Sequence, residues 1–201
     1  VQVFDIRASI STVLKKFEIV KLKLIKEGLI DDSLRRKLPK YPHSIGILTS
    51  APSSALADML RTAKERWPLT KLYIIPIPVQ GNNESKLKTI LSKLRKNKLG
   101  LDSIIIARGG GNREDLMLFD NEIIAREIAT FPIPVITGIG HEDDLTVSDL
   151  VSDHRSATPT AAIVDLLPSR EIEKTNFLTT QKILKDYFKF YFKNHINNLS
   201  Y

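Results

Sequence analysis

The chain has 201 residues, 42% hydrophobic and 26% charged, the proportions of a folded globular protein rather than a disordered or fibrous one. Lys and Arg number 30 against 23 Asp and Glu, and the resulting charge of +7 raises the prior for a polyanionic partner. Disulfides, thiolate metal sites and cysteine nucleophiles are excluded because there is no cysteine, and no run nears the roughly 18 consecutive apolar residues of a membrane span.

Val1 to Arg7 alternates apolar and polar residues and reads as the last strand of a preceding domain. Over Ser9–Glu27, apolar residues at Ile10, Val13, Leu14, Phe17, Leu24 and Ile25 keep a helical spacing, and Gly28 is placed to end the helix. Leu38-Pro39-Lys40-Tyr41-Pro42 then punctuates the chain. Short apolar runs follow at Ser44–Thr49, Lys71–Val79, Ser103–Ala107 and Ile133–Thr137, and the spacing predicts helices over Ser54–Arg66, Glu84–Lys96 and Asn121–Thr130 between them. Strands as apolar as Ile104-Ile105-Ile106 imply burial on both faces. The expected fold is therefore α/β: a doubly wound, mainly parallel sheet of about four or more strands with helices on both faces, plus flanking long helices. Thr158-Pro159 has the form of an N-cap followed by proline at the first helical position, and Pro168 divides that helix from a second beginning at Ser169. Along the second, Ile172, Phe177, Leu184, Phe188, Tyr191 and Leu199 make an apolar stripe, with Phe190 and Phe192 beside it, which needs a partner helix.

Charge follows this layout. Residues 1–43 hold 10 basic and 5 acidic side chains, 44–170 hold 15 of each, and 171–201 hold 5 and 3, so the surplus lies in the flanks. Within the balanced middle, residues 82–98 carry Lys86, Lys88, Lys93, Arg95, Lys96 and Lys98 against Glu84 alone, a face suited either to tracking phosphates or to solvation. A start at Val1 and a stop at Tyr201 inside a helical pattern are expected of a piece of a longer protein. No basic, then apolar, then small-residue leader is present, and a soluble cytoplasmic protein is expected.

In open parallel sheets ligands bind beyond the carboxyl ends of the strands, which selects four segments. They begin at Thr49, Pro78, Arg108 and Gly138. Gly109-Gly110-Gly111 follows an apolar strand, where missing side chains let backbone N–H groups approach an anion, and Arg108 adds a fixed cation with a planar fork of donors. Neither the dinucleotide fingerprint nor the Walker pattern occurs, so a tight turn for close packing stands as the plain alternative. His141 ends another strand and precedes Glu142, Asp143 and Asp144; a histidine there exchanges protons near neutral pH and a carboxylate can fix its tautomer. His43, His154 and His195 have no such setting. Residues 109–153 hold ten carboxylates against Arg113 and Arg126, which alone would suggest a hard-cation site for Mg²⁺, although Glu122 and Glu127 fit a helix face. Asp58 lies about one turn into the first helix after a strand, where a carboxylate either points back to the strand ends or faces solvent.

Taken together, the segments Leu38-Pro39, Ile45-Gly46-Ile47-Leu48-Thr49-Ser50, Pro78-Val79-Gln80-Gly81, Arg108-Gly109-Gly110-Gly111-Asn112-Arg113-Glu114-Asp115-Leu116, Pro134-Val135-Ile136, Gly140-His141-Glu142-Asp143-Asp144 and Thr158-Pro159-Thr160-Ala161-Ala162 resemble, in order and spacing from about Phe17 to Pro168, the large subunit of bacterial exonuclease VII. The resemblance implies a nuclease that degrades single-stranded DNA from either end to short oligonucleotides, in complex with several copies of a small helical subunit bound along the C-terminal helical segment. It implies a remnant of an N-terminal OB-fold over residues 1–8, a helical linker over 9–43, a catalytic α/β domain over 44–167 and the start of a long coiled-coil-like segment over 168–201. The family's catalytic positions fall on Asp58, Arg108, His141 and Asp144, and the candidate phosphate and DNA contacts are Ser50, Ser53, Gly109, Gly110, Gly111 and Asn112. No cofactor is obligatory on this resemblance, with Mg²⁺ the one cation to consider, and no membrane is involved.

The chain departs from the family pattern at Ser53-Ser54 for Gly-Ala, Asn112 for Ser, Met117 for an aromatic, Asp120-Asn121 for the reverse order, and Ser156-Ala157 for Ala-Pro. None removes a candidate catalytic group. Two other readings of the residues are a non-catalytic DNA-binding or assembly scaffold and a metal-dependent phosphatase or nucleotide-binding domain.

Overall fold

The computed structural model describes residues 15–78, 83–109, 113–140 and 144–198, and it divides into two compact units, one up to Leu167 and one from Pro168. The expected strand at Val1–Arg7 and the first turn of the expected helix lie outside the described residues.

The first unit is built on five strands, β1 (Ser44–Thr49), β2 (Lys71–Pro76), β3 (Ser103–Ala107), β4 (Val135–Gly138) and β5 (His154–Arg155), all parallel in the order β2-β1-β3-β4-β5. Side-chain alternation sorts the helices. Leu48, Ile104 and Ile106 point to one face, where they meet Leu24 of α1 (residues 15–26), Leu87 and Leu91 of α3 (Glu84–Leu94), Ile124 and Ile128 of α4 (Glu122–Ala129) and Val147 of α5 (Val147–Val151). Ile45, Ile47, Ile105 and Ile136 point to the other, against Met59 and Ala63 of α2 (Ser54–Arg66) and Ala162, Ile163 and Leu166 of α6 (Pro159–Leu166). The expected doubly wound architecture is thus observed, and the sheet is parallel throughout.

Several boundaries shift for local reasons. β2 stops at Pro76 and β4 starts only at Val135, because Pro134 has no N–H to give a ladder, although its carbonyl accepts from Ile104 N at 3.0 Å. α3 ends at Leu94, ahead of a turn in which Asn97 adopts a left-handed φ of 42° and clasps Leu101 through both its amide oxygen and nitrogen. Thr158 does cap α6, its hydroxyl accepting from Ala161 N at 3.0 Å, with Pro159 at the first position. Asn121 likewise caps α4, accepting from Ile123 N at 2.8 Å. Four elements were not expected: the 3₁₀ segments Asp32–Leu34 and Arg113–Asp120, α5 and the two-residue β5.

The second unit is α7 (Arg170–Asn198), 29 residues or about 44 Å long, with its large apolar side chains exposed along its length. Tyr187 and Tyr191 stack at 6.4 Å between ring centres, Phe188 and Phe192 at 6.3 Å, and Tyr191 and His195 at 4.3 Å. Among the described residues no helix is long and apolar enough to cross a membrane.

Candidate active site

The chain leaves β1 toward β2 on one side and reaches β3 on the other, so the order reverses between β1 and β3. That is the switch point at which open parallel sheets bind ligands. Arg108 is the first residue beyond β3 at this place. Its backbone N–H continues the ladder to the carbonyl of Gly138 at 3.1 Å, and by alternation its side chain extends the row of Ile104 and Ile106. A guanidinium that is only 4% exposed at the crevice of a sheet is costly to place and has to be matched by its surroundings.

On the opposite face the last layer of the sheet is made of small residues, and the helices close in over it. A Cβ on Gly109 would lie 3.3 Å from Ala55 Cβ in the first turn of α2, and one on Gly138 would lie 2.8 Å from the Thr158 carbonyl at the start of α6. Gly109 and Gly138 are therefore needed for close approach, the plain alternative to an anion cradle, and both helix N-termini reach the strand ends because of it. Gly140 is tighter still: its Cβ would lie 2.6 Å from the Asp144 carbonyl oxygen.

The expected residues can now be placed. Arg108, Gly109 and Asp144 gather at the ends of β3 and β4, Asp144 half-buried against Gly140. Ser50 follows β1 and gives its carbonyl to the Ser53 hydroxyl at 2.8 Å. That same hydroxyl caps α2 by accepting from Leu56 N at 3.2 Å, so the Ser at this departure from the family pattern has a structural task. Asp58 stands on the half-exposed flank of α2 and its carboxylate is held by Arg61 one turn on, at 2.8 Å. Gly110, Gly111, Asn112 and His141 lie outside the described residues.

Among the described residues, the carboxylates of the acidic stretch are mostly engaged. Asp149 closes a capping box with Thr146, Asp120 accepts from Val147 N at 3.0 Å, Glu127 binds Arg95, and Asp153 takes Arg36 and Val135 N. Glu122 joins Lys23, Arg126 and Glu27 in a network between α1 and α4, where Lys23 and Arg126 hold the Glu122 carboxyl below its usual range and Arg126 does the same for Glu27. No group of three His, Asp or Glu side chains is arranged to hold a metal ion among the described residues.

One residue of the selected segments was given no role of its own in the sequence reading. Thr49, at the end of β1, is fully buried, and its hydroxyl has no hydrogen-bond partner. Only its place at the end of the strand could have drawn attention to it.

The chain was compared with known proteins. A family model described as exonuclease VII, large subunit, matches residues 29–201. The chain belongs to the exonuclease VII large-subunit family. It is 57% identical over 189 residues to the exodeoxyribonuclease 7 large subunit of Synechococcus sp. strain CC9311, covering 93% of this chain and 48% of that protein. To the protein of the same name from Parasynechococcus marenigrum it is 59% identical over 174 residues, 86% of this chain and 45% of that one. For Campylobacter hominis the figures are 48% over 154 residues, 76% and 39%. The chain thus spans about half the length of the cyanobacterial relatives. Membership in the exonuclease VII family favours neither the scaffold nor the phosphatase alternative.

Proposed function

We propose that this chain is the catalytic domain of an exodeoxyribonuclease that hydrolyses single-stranded DNA from both ends to short oligonucleotides, working in the cytoplasm. The observation that carries this reading is the buried Arg108 at the switch point, at the carboxyl end of the sheet where Gly109 follows it and Asp144 packs against Gly140 beyond β4. Hydrolysis of a phosphodiester needs a water in line with the leaving oxygen, a neutraliser for the equatorial oxygens and two proton movements. Arg108 and the amides from Gly109 through Gly111 and Asn112 neutralise, with Ser50 and Ser53 lining the phosphate's other side. As the water oxygen bonds to phosphorus its proton passes to a base, the bond from phosphorus to the leaving oxygen breaks, and that oxygen takes up a proton. His141 carries out one of these transfers, with Asp144 orienting its ring. Where His141 is the acid, Asp58 is the base, and it must then leave Arg61. No divalent metal is obligatory in this scheme. The exposed apolar and aromatic side of α7 suits several small helical subunits docked in succession.

The test uses the full-length large subunit assembled with its small subunit, on end-labelled single- and double-stranded DNA in EDTA, with wild type and His141→Ala. Single strands are expected to be cut without metal, and the substitution to abolish cutting while binding survives. Arrest by EDTA would return the carboxylates to the role of metal ligands; normal turnover in His141→Ala would remove the assignment.

A further inference from the structure

Among the described residues β2 is the outermost strand on its side of the sheet, and beside it a groove of about 500 Å³ opens against α3. Its walls are Pro76 and Pro78 from the strand and Ser85, Lys86, Thr89 and Ile90 from the helix. It is a shallow, open trough, mainly apolar along its floor with a cation at the rim. Its level in the fold matters as much as its shape. Pro76 pairs in register with Thr49, so the groove lies at the same carboxyl end of the sheet as Arg108. Two strand spacings, about 9.5 Å, separate β2 from β3, roughly the reach of the next nucleotides of a strand whose phosphate sits on Arg108.

Charge says which occupant suits it. Leu87 and Leu91 turn α3 inward, leaving Lys86 and, seven residues on, Lys93 on the flank that carries Thr89 and Ile90. Arg95, by contrast, is committed to Thr130 and Glu127 at the end of α4 and belongs to the scaffold. An apolar trough rimmed by lysine complements an unpaired base joined to a phosphate, whereas neither a neutral metabolite nor an acidic protein segment would use both parts.

We propose that this groove is a secondary subsite for single-stranded DNA, in which Pro76, Pro78 and Ile90 receive the face of an unpaired base and Lys86 its phosphate, a nucleotide or two from the scissile bond. The proposal rests on the nuclease reading and adds to it a reason for preferring unpaired strands: a base held in a duplex cannot turn its face to the trough.

The holoenzyme is assayed on labelled oligothymidylate, with Lys86→Glu to reverse the rim charge and Thr89→Phe to fill the trough from an exposed helix position. Each is expected to raise KM about tenfold and leave kcat within about twofold. Lys64→Glu, an equal charge change on α2, is expected to leave KM alone. In the wild type, a single abasic residue walked inward from the labelled end should raise KM at one or two positions, and that position effect should vanish in Thr89→Phe. Equal effects of Lys64→Glu and Lys86→Glu would make the rim lysine part of a general field and overturn the subsite. A wild type that cuts while both groove variants keep its KM overturns the groove alone; a wild type that cuts no single strand overturns the nuclease reading and the groove with it.

Discussion

The two ends of the sheet treat polar groups in opposite ways. At the amino end, Ser103 apart, they are bolted to backbone. Asp102 accepts from His43 N at 2.6 Å and Ser44 N at 3.0 Å, and Ser44 donates its hydroxyl to the Gly100 carbonyl. Asp153, its side chain 2% exposed, takes Arg36 N, the Arg36 guanidinium and Val135 N. Each contact ties a strand to a segment distant in sequence and leaves those carboxylates nothing to offer a ligand. The carboxyl end is built from glycines under two helix N-termini, a buried arginine and a threonine hydroxyl with no partner. Polar groups at the amino end tie strands to distant segments, while the carboxyl end gathers a buried charge and close-packed glycines under two helix N-termini.

The sharpest way to break this contrast is Arg108→Ala in the holoenzyme. Turnover of single strands is expected to fall by about 10²–10³, the cost of losing a preorganised charge at a developing oxyanion. Arg108→Lys, which keeps charge but loses the fork, should recover little of it in single-turnover assays. Next is Asp153→Ala at the amino end, which strands a partly buried Arg36 and should cost about 3 kcal/mol in denaturant unfolding. Its kcat per folded molecule should be normal; a selective loss of kcat would mean that the two ends are not separate.

Smaller effects sharpen the picture. Thr49 at the carboxyl end and Ser103 at the amino end of β3 both bury an unpartnered hydroxyl. Thr49→Val and Ser103→Ala should each stabilise the protein by about 1 kcal/mol in urea titration. If Thr49→Val alone slows turnover, the working end extends one residue into β1. Smallest of all is the surface network of α1 and α4. Arg126 and Lys23 depress the carboxyls of Glu27 and Glu122, so the network's contribution is complete above the ordinary glutamate pKa and is lost as the pH falls through the depressed values. Arg126→Ala should therefore lower stability slightly at pH 7, leave it unchanged at low pH and so flatten the acid limb of a stability-versus-pH curve, by a small amount because these groups are exposed and screened.

Most of the sheet was legible in the sequence because four strands are apolar runs bounded by loop residues, and burial on both faces leaves that mark. The limits of Ser44–Thr49 and Ser103–Ala107 coincide with those expected from the apolar pattern. β5 left no such mark: His154 and Arg155 are polar, and they join the sheet through backbone bonds that Ser156 N continues to Thr137 O at 2.8 Å. α5 is equally silent, a five-residue turn fixed by its capping box rather than by any periodicity. At the site, Arg108 and Gly109 could be found from their position after a strand. That Gly138 yields room for Thr158, twenty residues later, is a tertiary fact with no local signature. The Asp58 to Arg61 pairing was available as an i, i+3 spacing but competes with the catalytic reading of the same carboxylate.

An open parallel sheet has two raw borders at which a second chain could add a strand and start aggregation. Here β5, two residues long, offers almost no length to pair with, and β2 carries exposed Lys71 at its start and Pro76 at its end, with Pro78 just beyond. Proline has no amide hydrogen to donate, and lysine brings a charge that a stacking strand must bury. The sheet is thereby closed to self-templating at both borders, and replacing Pro76 and Pro78 with valine should show itself first as turbidity during refolding at high protein concentration.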